Sequence, residues 1–377
     1  MGKHTANNKT RSVPAKATAP RLLTKKRTAL IILLVVLGIL LLLAAATCWF
    51  VWSTSGIHGN MFAKGNPLPA SIPTAAPTPE PALKGSTPVV KADWIDDEGN
   101  AWNYRDDLII VLLMGVDYMA DDSYWKDHIV SNGGNADILV LAALDPTNNT
   151  LSLLNIPRDS MADILMLDEE GNYVRMTRAN VSTAHSYGDG GALSCDLTVD
   201  AVSRLLYGIP IQRYASVHFD VLDDFSDLIG GVTLTLEEDC TELDPAYTKG
   251  STITLKGVEL KNFVIQRDTS DLNSTHKRSQ RHMMLLNVLY NQCKEAFLKD
   301  ISFPIQLYNR AADHITTNLT IPEITYLARK GFSTDFGSDW VDTIPGETTM
   351  GEKYAEFVPD AQWLQNYLAE NFCVPAE

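Results

Sequence analysis

The means for chemistry in this 377-residue chain are aspartates and arginines at the ends of apolar runs. Asp117 follows the run Leu108–Met114 by way of Gly115-Val116, and Asp137 opens the run Asp137–Leu144. Two carboxylates brought together beyond strand ends, where loops converge, suit a hard divalent cation such as Mg²⁺ or Mn²⁺. Ile156-Pro157-Arg158-Asp159 follows a third apolar run. Proline ends ladder pairing and fixes the backbone, so Arg158 leaves the sheet edge in a set direction. Its guanidinium matches phosphate oxygens two-pronged and stays charged at any working pH. Asp159 is placed to orient Arg158 or to take up a metal. A basic group completes the set: Arg267, then His276-Lys277-Arg278, then Arg281-His282, all within 16 residues.

Each of these has a plainer reading. A strand-end aspartate is common in turns, Arg158–Asp159 reads equally as a surface ion pair of little worth, and the basic group as a solvated face. The background favours function for the last. Residues 1–28 hold eight basic side chains and no acid, which leaves the other 349 residues with 23 basic and 46 acidic groups, a net of -23. So acidic a body repels nucleic acid, and a cationic cluster within it needs a reason. Two aspartates for a cation plus arginines from separate segments suit diphosphate chemistry, in which positive groups neutralise the transferring and leaving oxygens. No G-x-S-x-G supports acyl hydrolysis and no G-x-x-x-x-G-K-[ST] supports a P-loop.

The elements that must position these groups follow from pattern. Leu108–Met114, Asp137–Leu144 and Thr150–Ile156 are short apolar runs of the kind that form buried strands. The turn residues Asp145-Pro146-Thr147-Asn148-Asn149 join the last two as an antiparallel hairpin. Helical spacing predicts helices over Asp196–Tyr207, Val221–Ile229, Gln280–Leu298 and Pro322–Arg329, with strands over Arg213–Phe219 and Val232–Leu236. A start near Gln280 puts Arg278 and Arg281 on one face at a helix N-terminus, which favours anions. Strands and helices alternate across 95–335, so the expectation is α/β: a single α-β-α sandwich with a mixed central sheet. The body is taken as 93–335, with 336–377 a C-terminal extension packed on it.

Ahead of the body, Ala29–Trp52 is an apolar stretch inside an uncharged window from Thr28 to Ala63. Roughly 20 apolar residues cross a hydrocarbon core, so 29–52 reads as one transmembrane helix, an uncleaved signal-anchor. The basic tail 1–28 puts the N-terminus in the cytoplasm and the folded domain outside the cell. Seven prolines between Pro67 and Pro88 make 53–92 a Pro-rich linker inclined to extended polyproline II. Beyond the span, Cys195, Cys240, Cys293 and Cys373 allow three pairings, and sequence does not choose among them.

With these residues in view, the chain resembles the LytR-CpsA-Psr (LCP) family of bacterial cell-envelope proteins. The likeness runs from Leu108 to Leu298 through LLMGVD at 112–117, GGNADILVLAALDP at 133–146, LSLLNIPRDS at 151–160 and AHSYG at 184–188. It continues through LLYGIPIQRY at 205–214, DLIGGVTL at 227–234, LKGVELKNFVIQR at 255–267 and RSQRH at 278–282. The resemblance implies an α/β sandwich with an apolar groove for a lipid tail, and transfer of a glycopolymer, such as teichoic acid or capsule, from a polyprenyl-diphosphate carrier to peptidoglycan. It implies Asp117 and Asp137 as metal ligands for Mg²⁺, Arg158 and Arg267 as catalytic and diphosphate-binding, and Arg278 and Arg281 as the pair of its R-x-x-R. Three positions depart from the family pattern: Asn135 and Ile265 stand where arginines are usual, and His282 where glutamine is. Asn135 and His282 keep the means to hydrogen-bond a diphosphate; Ile265 does not. The expected activity is a membrane-anchored phosphotransferase in which Asp159 or Asp137 assists deprotonation. The alternatives are an LCP-like domain that binds polyprenyl-linked glycopolymer without efficient transfer, and a polyprenyl-diphosphate hydrolase.

Overall fold

The computed structural model describes residues 92–117, 133–168, 170–266, 274–300, 302–332, 341–351 and 354–376. The basic tail, the apolar segment 29–52, nearly all of the linker, and Arg267 lie outside them. Among the described residues no helix is long and apolar enough to cross a membrane.

The chain opens with β1 (Trp94–Ile95) and β2 (Ala101–Tyr104) and then enters β3 (Ile109–Asp117), β4 (Asn135–Asp145) and β5 (Thr150–Asn155). A second hairpin, β6 (Met161–Leu167) and β7 (Tyr173–Asn180), leads through a 3-10 helix at Val181–Tyr187 to α1 (Ala192–Leu205). Then come β8 (Arg213–His218), α2 (Val221–Ile229), β9 (Val232–Thr235), β10 (Thr252–Leu255), α3 (Val258–Ile265) and α4 (Ser274–Lys299). The C-terminal third holds α5 (Phe303–Ala311), β11 (Ile315–Thr317), α6 (Ile321–Phe332), β12 (Val341–Thr343), β13 (Gly346–Met350), β14 (Ala355–Pro359), α7 (Ala361–Phe372) and β15 (Cys373–Pro375).

Six strands form the central sheet in the order β11-β8-β3-β4-β5-β12. It is mixed, as the alternation of elements predicts: β3–β8 and β12–β5 are parallel, and the other pairs antiparallel. The expected β4–β5 hairpin is present around the Asp145–Asn149 turn, where Asp145 Oδ1 accepts the Thr147 and Asn148 amides at 2.9 Å. Alternation along β3 divides the core. Ile110, Leu112, Met114 and Val116 face one layer with Cys195, Ala201 and Val202 of α1 and Leu364 and Leu368 of α7. Ile109 and Val111 face the other, against Tyr326 of α6. On that second side Val232, Leu234, Leu260, Phe263 and Leu285 build a further core from β9, α3 and α4. Helices thus cover both faces of the sheet.

Several boundaries differ from the sequence expectation. β3 runs on to Asp117, so this aspartate is the last strand residue and not a loop residue. The 196–207 helix is shifted to 192–205, stopped where Tyr207 and Gly208 both take positive φ. The long helix starts at Ser274, six residues before Gln280, so Arg278 and Arg281 lie inside it and not at its N-terminus. The segment 336–377, expected as an extension packed on the domain, instead puts β12 into the central sheet beside β5 and β15 beside β2. All four described cysteines are free thiols. Cys195 and Cys373 sit in the first core and Cys240 in the second.

Candidate active site

Asp137 owes its position to an irregularity. In the β3–β4 ladder Gly115 opposes Ile138 while Val116 opposes Ala136, so Asp137 is an extra residue with no partner. Such a bulge re-aims a side chain. Its effect shows in the core, where Ala136 and Leu139, three apart, face the same side. A Cβ on Gly115 would come within 3.0 Å of Ile138 and 2.9 Å of Phe219, so the close approach at the bulge requires glycine.

Arg158 is positioned by the end of β5. The Ile156 amide still donates to Leu139 at 2.9 Å, but Pro157 has no N–H to continue the ladder. Ser160 N closes a turn on the Pro157 carbonyl at 2.9 Å, with Arg158 and Asp159 at its centre. Arg158 Nη1 bonds Asp137 Oδ1, and its Nε lies 3.2 Å from Asp159 Oδ1. Asn180 Nδ2 also donates to Asp159 Oδ1 at 3.2 Å, and Oδ2 is left without a hydrogen-bond partner among the described residues. From α4, Arg278 Nη1 stands 3.1 Å from Asp137 Oδ2. Two guanidiniums from distant segments therefore hold the two oxygens of one buried carboxylate.

The basic run on α4 divides by contact. Arg281 turns to the end of α3: Nε donates to the Phe263 carbonyl at 3.1 Å, Nη2 to the Gln266 carbonyl, and Nη1 pairs with Glu242 at 2.9 Å. The neutral His282 donates from Nε2 to the Val264 carbonyl at 2.9 Å. Burial, then the Arg278 charge, drives the His282 pKa down to about 3. Arg278 adds a bond to the Ile265 carbonyl at 3.5 Å. The last carbonyls of a helix have no partner within it, and α4 supplies them here. Arg281 and His282 thus hold α3 against α4, and Arg278 does so while also reaching Asp137.

These groups meet in a cleft with about 810 Å³ of empty space, its open mouth included. Asp137, Arg158, Asp159, Arg278 and His282 line it. Asp117, Asn135 and Arg281 do not. Asp117 is nevertheless close enough to be governed by the site: burial first and the Asp137 charge second raise its pKa, while Arg278, Lys261 and Arg158 oppose the rise. Asn135, opposite Asp117 in the ladder, accepts a 2.7 Å bond from Ser186. Ile265 packs its side chain against the second core.

Other participants are not evident from residue type. Asn155 Nδ2 bridges Ser279 Oγ at 3.2 Å and Thr343 Oγ1 at 3.3 Å, tying β5, α4 and β12 together in the cleft wall. The β13–β14 hairpin forms a wall: Phe357 lines the cleft, and its amide donates to the Asp159 carbonyl at 2.8 Å. His185, buried and with its pKa lowered by that burial, bonds the Gly133 carbonyl at 2.7 Å through Nδ1. Gly134 has φ +67°, and a Cβ there would stand 2.5 Å from the Asp117 carbonyl oxygen. The AHSYG segment is therefore a clamp on the start of β4.

Among the described residues no group of three or more His, Cys, Asp or Glu is arranged for a metal. The donor set is the Asp117–Asp137 pair, and Mg²⁺ commonly takes one or two protein carboxylates while phosphate and water oxygens complete its shell. The upward pressure on Asp117 from burial and a like charge is what a cation would relieve. An ion at this pair would share Asp137 with Arg158 and Arg278, whose guanidiniums hold both of its oxygens.

A six-stranded mixed sheet between helical layers, with two guanidiniums on one carboxylate near a strand end, defines an α/β protein with a charged cleft beside its central sheet. The LytR_cpsA_psr family model matches residues 85–370, and the chain belongs to that family. It is 27% identical over 259 residues to the polyisoprenyl-teichoic acid–peptidoglycan teichoic acid transferase TagV of Bacillus subtilis, covering 65% of this chain and 60% of that protein. The chain thus spans about three-fifths of that relative's length. It is likewise 25% identical over 261 residues to the transferase TagU of Bacillus cereus, covering 67% of this chain and 75% of the relative. The crystal structure of B. subtilis TagV superposes with a TM-score of 0.53 at 26% identity, covering 70% of this chain and 96% of that one.

Proposed function

We propose that this chain is a membrane-anchored, Mg²⁺-dependent phosphotransferase that moves a glycopolymer from a polyprenyl-diphosphate carrier to a peptidoglycan hydroxyl. The observation that carries the reading is the convergence of Arg158 and Arg278 on Asp137 in one cleft. The names of the relatives support the substrate class, and the apolar stretch 29–52 behind its basic tail supports the anchor and an extracellular domain.

In the reaction the acceptor hydroxyl oxygen bonds the sugar-linked phosphorus. The bridging P–O bond breaks, and polyprenyl phosphate leaves with the electron pair. Arg158 and Arg278 neutralise the charge that builds on phosphate and leaving oxygens, the largest contribution such a site makes. Mg²⁺ held by Asp117 and Asp137 would add charge neutralisation at the same oxygens. The hydroxyl proton passes to a carboxylate. Asp159 suits that role better than Asp137, because both Asp137 oxygens are engaged by guanidiniums while Asp159 keeps Oδ2 open. Arg281 and His282 act through position, by fixing α3 against α4.

Asn135, and Ile265 packed against the second core, stand where the family usually has arginines, which favours a second reading in which the domain captures the carrier but transfers slowly. Incubating the full-length chain with polyprenyl-diphosphate-linked glycopolymer and Mg²⁺, with and without peptidoglycan, separates the cases. Transfer gives polymer on peptidoglycan and polyprenyl phosphate only when acceptor is present. Release without acceptor means hydrolysis, and binding with no release means capture.

A further inference from the structure

The turn that carries Arg158 and Asp159 is gripped from two sides. The Ser182 amide donates to the Arg158 carbonyl at 3.2 Å, the Phe357 amide to that of Asp159 at 2.8 Å and the Val181 amide to that of Ser160 at 2.8 Å. These bonds fix the backbone under Asp159. They do not fix its carboxylate, because the terminal torsion of an aspartate is broad and nearly two-fold. A further contact must decide where each oxygen points.

That contact comes from Asn180, which ends β7 opposite Met161 and is the N-cap residue of the 3-10 helix. Asparagine in that place ordinarily turns its side-chain oxygen to the first amides of the helix. Asn180 makes no such bond, and the Val181 and Ser182 amides already serve the turn. Its Nδ2 donates instead to Asp159 Oδ1 and to the Ala355 carbonyl, each at 3.2 Å. An ionised carboxylate and a carbonyl can only accept, so the NH₂ end of the amide must face them. Arg158 Nε, also 3.2 Å from Oδ1, is not aligned to donate. Among the described residues Asn180 therefore supplies the one hydrogen bond that the Asp159 carboxylate receives. The bond to Ala355 ties the same amide to β14, which lines the cleft through Ala355 and Phe357.

We propose that Asn180 is a positioning residue for the transfer step: by pinning Oδ1 of Asp159 it aims Oδ2 at the acceptor hydroxyl. Oδ2 takes the hydroxyl proton as the hydroxyl oxygen bonds phosphorus and polyprenyl phosphate leaves. This rests on the transferase reading above, with Asp159 as proton acceptor. Asn180 does not line the cleft, so it acts through Asp159 and not on the substrate.

The test uses the full chain in two assays, release of polyprenyl phosphate with Mg²⁺ and peptidoglycan, and calorimetric binding of farnesyl diphosphate with Mg²⁺. Asn180→Leu, which keeps the volume, and Asn180→Ala are each made alone and with Asp159→Asn; thermal melting verifies the fold. Either single variant should release roughly tenfold more slowly, the worth of one hydrogen bond to a charged group. Farnesyl diphosphate affinity should stay within about twofold of wild type, since Arg158 and Arg278 are untouched. Once Asp159→Asn has removed the proton acceptor, adding Asn180→Leu should slow the residual release no further. Full extra loss in that background, or lost diphosphate binding, would show a structural tie and overturn the proposal. If Arg158→Ala abolishes release while folded Asn180→Leu keeps the wild-type rate, the Asn180 proposal fails and the transferase reading stands. Absence of release by wild type would remove both.

Discussion

Arg158 and Arg278, 120 residues apart in sequence, approach opposite oxygens of the Asp137 carboxylate, the second at 3.1 Å. The three side chains are nearly buried, with 16%, 6% and 5% of their surface exposed in that order. One carboxylate thus keeps two guanidiniums from distant segments together.

That relation makes Asp137 a stability residue as well as a site residue. Asp137→Asn removes the charge that compensates two buried cations, and breaking a buried pair costs about 3–5 kcal/mol. The expected result is a denaturation midpoint lowered accordingly in urea. A variant as stable as wild type would show that the guanidiniums do not depend on this carboxylate.

Arg281 should behave differently from Arg278. Its bonds to Phe263, Gln266 and Glu242 hold the end of α3, so Arg281→Met is expected to cost about 2–4 kcal/mol of stability through stranded carbonyls and an unpaired Glu242. Conditions that keep the variant folded should restore diphosphate affinity to within about threefold of wild type, since its guanidinium lies outside the cleft lining. Arg278→Met under the same conditions should lose binding. Calorimetry on both variants checks the contrast.

The buried His282 sets an acid limit. Its folded pKa of about 3 lies below the ordinary value of 6.5, so between those values the unfolded chain takes up a proton that the folded chain refuses. The stabilisation is complete above pH 6.5 and declines as pH falls, by about 2 kcal/mol at pH 5. His282→Gln keeps a donor for the Val264 carbonyl and should flatten that slope; His185, also pushed down by burial, retains its own share. An unchanged slope would mean that His282 is not the group responsible.

Gly134 offers a backbone test. With φ +67° and the Asp117 carbonyl oxygen 2.5 Å from where a Cβ would sit, Gly134→Ala must move Asp117 or the start of β4. The expected cost is about 1–3 kcal/mol, together with weaker Mg²⁺-dependent binding of the diphosphate probe. Unaltered stability and binding would show that this junction yields without consequence.

Much of this arrangement was legible in residue order. The β4–β5 hairpin was marked by two apolar runs around Asp145–Asn149, and α2 by spacing that ends at Gly230, whose φ is +78°. Proline after an apolar run correctly marked the place where Arg158 leaves the sheet. The bulge at Asp137 was not legible, because apolar residues on both sides of a buried strand hide the slip in alternation. Nor was the division of labour on α4. Arg278 and Arg281 share a helix face by spacing, and only the position of the α3 carbonyls sends one to the cleft and the other to a cap. The wall formed by β13 and β14 was hidden for a further reason: β13 is exposed along its whole length and carries no apolar alternation to read.

Release of polyprenyl phosphate from a polyprenyl-diphosphate-linked glycopolymer, in the presence of peptidoglycan and Mg²⁺, is the most direct measure of the central claim. The comparison that matters is wild type against Arg158→Ala. The variant is expected to fold and its release to fall by about 10²–10³-fold, the usual cost of losing one donor to developing negative charge. A folded Arg158→Ala protein releasing polyprenyl phosphate at the wild-type rate would contradict it.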